Sequence, residues 1–242
     1  MQFVPYGLHI SRLTPVHHGA FMQLSIDSCY IHPPVATVPA ALPALVFLHG
    51  RDQRGSDLRL VQQHGPPKYA GQAAPPPGQV LDRFRIIAPQ CPLNRTWNDD
   101  GMSAAVAELL KQLSRSQFVD SSRIYLTGWS MGGFGVYRVL QDSDIPAAGA
   151  IVSGGCSANS RPLRRAMPPL WVAYGRHDSA VRAARSEELV KQVQAAGGIV
   201  EVVPPYNDAD GGKPSAHVLA CRNAFGNPAL YEWLLTHRKA AA

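Results

Sequence analysis

The chain is predicted to fold as one α/β unit with a mostly parallel, doubly wound sheet, helices on both faces and an antiparallel hairpin at its N-terminus. Three observations lead there. Short continuous apolar runs of buried-strand type alternate with stretches of helical periodicity. The longest-range order is strand, helix, strand, helix, which builds βαβ units around a parallel sheet. At 242 residues with 45% hydrophobic content, one domain over 1–242 without a separate lid can bury a full core.

The elements follow in order. Residues 1–42 read as the opening hairpin, with 21–26 (FMQLSI) alternating like a strand wet on one face. The prolines of 33–43 make a connection. Residues 44–50 (ALVFLHG) form a buried strand ending in His49 and Gly50, and 56–63 a short helix. The breaker-rich stretch 65–78 is expected to lack regular structure. Next come a strand at 85–89 and a helix at 102–116, with Val106, Leu109, Leu110 and Leu113 at helical spacing. Strands are expected again at 124–127, 149–155, 169–175 and 199–203. Helices are expected at 131–141, 183–196 and 228–239, the last with Pro at its first turn.

The middle of the chain carries the chemical signal. Gly128, Trp129, Ser130, Met131 and Gly132 spell G-x-S-x-G between a predicted strand and a predicted helix. A serine at so tight a turn needs small neighbours two positions to either side, because backbone passes within contact distance there. The turn presents the hydroxyl above the sheet and leaves the Met131 N–H at a helix start, where negative charge is favoured. A bare glycine-rich βα turn is the rival reading, so the surrounding pattern must decide.

A serine hydroxyl needs a base, and the base needs an orienting group. After such a turn the acid is expected next and the histidine last. Asp178 stands just past the strand at 169–175, where a carboxylate can reach the site; the lesser alternative is a cap for a helix beginning near Val181. His217, beyond the last strand, is favoured as base over His177, because His177 adjoins Asp178 and loop neighbours point apart. His49 is expected to buttress the loop after its strand. The second oxyanion donor is expected to be the Arg51 N–H, with Met131 the first. Trp97 and Trp129 flank strand ends and are candidates to line a substrate pocket, with core packing the alternative for Trp129. His64 carries no partner pattern and reads as a surface residue.

Charge and cysteine usage exclude other classes. Net charge is +6, but Lys and Arg are dispersed, which argues against nucleic-acid binding. No apolar run approaches a membrane span, and the first twenty residues lack a signal-peptide pattern, so no membrane partner and a cytoplasmic location are expected. Cys29, Cys91, Cys156 and Cys221 are widely spaced without a CxxC pair. No His pair with a carboxylate reads as a metal site, so no metal or organic cofactor is expected.

These blocks together resemble the α/β-hydrolase superfamily. Within it, the chain is similar to the bacterial esterase group described as predicted peptidase or phospholipase/carboxylesterase-like, related to feruloyl esterases and polyhydroxyalkanoate depolymerases. The likeness covers roughly 43–238. It rests on LVFLHGRDQRGSD (45–57), HGPPKYA (64–70), IIAPQCP (86–92) with Trp97, RIYLTGWSMGGFGVY (123–137), SGG (153–155), LWVAYGRHDSAV (170–181) and PALYEWLL (228–235). The resemblance implies a serine esterase acting on a small-molecule ester through an acyl-enzyme. It implies Ser130 as nucleophile, Asp178 as acid, His217 as base, and Arg51 and Met131 as oxyanion donors. Amide hydrolysis by the same residues, or ligand binding without catalysis, are the alternatives. The chain departs from the family at Ala216, where a glycine usually precedes the histidine, and in a longer connection over 206–215.

Overall fold

The computed structural model describes residues 29–33, 40–72, 77–156, 163, 167–207 and 215–240. The predicted strand at 21–26 lies outside them. Seven strands form one sheet: β1 (Cys29–His32), β2 (Leu42–Leu48), β3 (Arg85–Pro89), β4 (Val119–Trp129), β5 (Ala148–Val152), β6 (Leu170–Ala173) and β7 (Val200–Val202). Their order is β1-β3-β2-β4-β5-β6-β7. β1 runs antiparallel to β3, and every other pairing is parallel. This is the α/β-hydrolase fold with an N-terminal antiparallel pair.

The helices are α1 (Pro66–Tyr69), α2 (Gly78–Leu81), α3 (Asp100–Ser114), α4 (Met131–Asp142), α5 (Ala183–Ala195), α6 (Ala216–Phe225) and α7 (Pro228–Leu235). Strand alternation assigns them to two layers. Val46, Leu48, Leu126 and Val172 face a core shared with Val106 and Leu110 of α3, Val136 and Leu140 of α4, and Leu189 of α5. Leu45, Phe47, Tyr125 and Trp171 face the opposite core, filled by Val61, Phe84, Ala220 and Phe225 of α6, and Leu230 and Tyr231 of α7. The central strand is apolar on both faces because both are covered.

The structure departs from the sequence expectations in three places. The stretch 65–78 holds the one-turn helix α1 and the start of α2, since Gly65 turns the chain at φ 67° and Pro66 and Pro67 preset the first turn. The helix expected over 56–63 is a 3-10 turn at Leu60–Gln62. The helix α6 was not anticipated.

Topology fixes where a ligand can bind. After β2 the chain moves outward to β3, and after β4 it moves the other way to β5. Adjacent parallel strands whose connections diverge open a crevice at their carboxyl ends. Gly50 and Ser130 follow those two ends.

Candidate active site

Ser130 occupies the single residue between β4 and α4, at φ 56° and ψ −120°. Residues with a side chain rarely adopt this conformation, which costs about 1–3 kcal/mol. Neighbouring backbone holds it in place: its N–H donates to Val152 O (2.9 Å), and its carbonyl accepts from Phe134 N–H (3.2 Å). The two flanking glycines are sterically required. A Cβ on Gly132 would lie 1.8 Å from Leu48 O, and one on Gly128 2.4 Å from Gly132 O. The Met131 N–H opens α4 and has no carbonyl a turn behind it to bond.

The loop after β2 is braced from below. Cys91 N–H donates to His49 Nε2 (3.0 Å), so the ring proton sits on Nδ1 and donates to Gly50 O (2.7 Å). Burial pushes His49 down to about 4, against the pull of the Gly50 bond and with help from the Arg54 charge. Its ring is therefore neutral and both nitrogens are engaged. Gly50 N–H donates to Gln53 Oε1 (3.2 Å), and Gln90 Nε2 donates to Gln53 O and Asp57 O. Arg54 donates to Arg51 O and Arg95 O, which turns its guanidinium back onto the loop. The Arg51 N–H, first in the 3-10 turn Arg51–Gln53, bonds no other group among the described residues.

Asp178 and His217 meet across 39 residues of chain. His217 Nδ1 lies 2.7 Å from Asp178 Oδ2. The other carboxylate oxygen accepts from Ala180 N–H (2.9 Å) and Val181 N–H (2.8 Å). Asp178 therefore braces its own loop with one oxygen and anchors His217 with the other; it does not cap a helix, since α5 begins only at Ala183 with Arg182 at its N-cap. Burial alone would raise this carboxyl, but the His217 bond and the two backbone donors hold it below the ordinary aspartate value. His217 stands in the first turn of α6, where Ala216 is already helical and needs no glycine freedom. His177 is exposed and makes no hydrogen bond to Asp178.

Ser130, Met131, Arg51 and His217 line one cleft of about 1140 Å³. His217 Nε2 has no hydrogen-bond partner among the described residues. An imidazole held by a carboxylate at one nitrogen and open at the other is able to take a proton and keep its orientation. Trp129 also lines the cleft, as does His64, contrary to the surface position expected of it. Trp97 corrects the expectation that it lines the pocket. It is fully buried and donates from Nε1 to His49 O (3.0 Å), so it braces the loop instead. Arg182, Arg185 and Glu188 of the α5 region form the far wall. Among the described residues, no group of three His, Cys, Asp or Glu side chains could hold a metal ion. No helix among them is long and apolar enough to cross a membrane.

The fold and the cleft define a chain of α/β-hydrolase architecture, and comparison with known proteins agrees. No family model matches it. The bifunctional acetylxylan esterase/xylanase of Neocallimastix patriciarum is 29% identical over 103 residues, which is 40% of this chain and 15% of that protein. A crystal structure of a thermostable esterase superposes with a TM-score of 0.68 at 27% identity, over 87% of this chain and 59% of that one. A phospholipase/carboxylesterase from Dyadobacter fermentans shares the fold at 17% identity and a TM-score of 0.59, over 88% of this chain and 100% of that one. The chain therefore spans only 15% and 59% of the lengths of the first two relatives.

Proposed function

We propose that the chain is a serine hydrolase that cleaves a small-molecule carboxylic ester through an acyl-enzyme. Ser130 attacks the ester carbonyl carbon and passes its proton to His217 Nε2. The N–H groups of Arg51 and Met131 receive the negative charge that develops on the carbonyl oxygen. The tetrahedral adduct collapses as His217 returns the proton to the leaving alcohol, leaving the acyl group on Ser130. Water then enters, gives its proton to His217 and attacks the acyl carbon, and the acid leaves as Ser130 recovers its proton. Asp178 fixes the Nδ1–H tautomer throughout and stabilises the imidazolium. Beyond the ester and the attacking water, the reaction as written uses only groups of the chain and calls on no cofactor.

One observation carries the reading. A serine held at positive φ at the head of α4 shares a cleft with a histidine whose remote nitrogen is bound to a buried carboxylate. The acetylxylan esterase likeness makes an acetyl ester the first acyl group to try. The test is hydrolysis of nitrophenyl esters of increasing chain length beside an amide with the same acyl group. Ester turnover that vanishes in Ser130→Ala supports the reading. Faster cleavage of the matched amide would make the chain an amidase, and turnover unchanged by Ser130→Ala would remove Ser130 from the chemistry.

A further inference from the structure

Trp129 precedes Ser130 in the chain but turns its ring toward a different residue. The indole centroid lies 5.0 Å from that of His217, with 34° between the planes. His64 contacts the same indole at 4.6 Å and 52°. Gly50 leaves room for it, since a Cβ there would come 2.9 Å from the indole carbons. Trp129 is 7% exposed, so water scarcely screens these contacts. A cation within about 6 Å of an indole face is attracted by the ring quadrupole, and more strongly when desolvated. His217 becomes such a cation each time it accepts the Ser130 proton.

We infer that Trp129 is a positioning residue that favours the imidazolium form of His217, with His64 backing the indole. The catalytic purpose of this contact rests on the proposed hydrolase reading, whereas the contact itself does not. His64 suits a backing role because it brings no competing charge near neutral pH. Burial first, and then the nearby Lys68 charge, push its ring below the ordinary histidine value, with a further small push from His217 and an opposite pull from Asp52. The other ionisable groups around His217 are Asp178, bonded to it, and Arg51, Asp52, Arg182, Arg185 and Glu188 along the cleft. Substituting Trp129 leaves these residues in place. His64, which contacts the indole and feels the charge of His217, is followed in the same titration so that its own change is separated from that of His217. The competing account is that Trp129 only fills space between the loop and α6.

The experiment follows the His217 ring signals by NMR as a function of pH, assigned through His217→Asn, in wild type, Trp129→Phe and Trp129→Leu. The inference predicts a titration midpoint lower by about half to one pH unit in Trp129→Leu, and a smaller drop in Trp129→Phe, which keeps an aromatic face. The acidic limb of kcat/KM moves to lower pH by the same amounts, and kcat falls about 3- to 10-fold in Trp129→Leu. Trp129→Phe guards against a leucine variant that fails to fold. Identical midpoints in the wild type and the folded variants would overturn the inference, whatever happens to the rate. Labelling of Ser130 by a fluorophosphonate, run on the same samples, judges the hydrolase reading separately. A midpoint shift without any adduct would sink that reading and leave the contact without catalytic work.

Discussion

His49 and His217 both stand near the carboxyl ends of the sheet, yet they differ in what their rings have left to give. His49 is fully buried, and both its nitrogens are bound to backbone, one to Cys91 N–H and one to Gly50 O. His217 engages one nitrogen with Asp178 and opens the other to the cleft. A histidine with both nitrogens satisfied can only hold structure in place. One with a single strong anchor keeps its direction and retains a site for a proton. The comparison predicts that damage to the first shows as lost stability, and damage to the second as lost rate.

Substituting His217 or Ser130 by alanine gives the largest effect. On the proposed mechanism each lowers kcat by about 10⁶-fold, and the double variant falls little further because the two act as a unit. Steady-state hydrolysis of a nitrophenyl ester measures this. Asp178→Asn comes next at about 10⁴-fold, through the wrong tautomer of His217. Its fold is retained, since the amide oxygen can still accept from Ala180 and Val181.

His49→Ala reverses the pattern. It leaves Cys91 N–H and Gly50 O without partners in a dry interior, which costs about 2–4 kcal/mol in urea denaturation. His49 also sets an acid limit on stability. Its folded-state value near 4 lies below the ordinary 6.5, so its contribution is present above about pH 6.5 and is lost as pH falls toward 4. That contribution is about 3 kcal/mol, and it disappears from the pH–stability profile of His49→Ala. Ala216→Gly is the smallest change. It costs under about 1 kcal/mol and leaves kcat within about twofold, because that backbone is already helical.

How much of this could be read in the sequence depended on how local the determinants are. The Ser130 turn was legible because five consecutive residues specify it, and the contacts of Gly128 and Gly132 supply the steric reason. The strand runs at β2, β3 and β4 were legible because burial on both faces leaves uninterrupted apolar sequence. Helix α6 was missed since its buried side is made largely of small residues, Ala216, Ala220, Cys221 and Ala224, which give a weak periodic signal. His64 reaches the cleft only because the chain turns at Gly65, and nothing in its neighbours announces Trp129 as its contact. Trp97 was misplaced for the opposite reason. Lying beyond a strand end suggests a pocket wall, but its N–H is drawn inward to His49 O. The Asp178–His217 pair was anticipated from chain order and strand ends, and only the fold brings the two side chains within 2.7 Å.

The most direct test of the account is labelling with a fluorophosphonate, with mass spectrometry to locate the adduct, on wild type, Ser130→Ala, His217→Ala and His49→Ala. The account predicts an adduct on Ser130 in the wild type, none on that peptide in Ser130→Ala and a severe loss of labelling rate in His217→Ala. It predicts labelling by whatever fraction of His49→Ala remains folded. No adduct on folded wild-type protein, or undiminished labelling of Ser130 without His217, would contradict it.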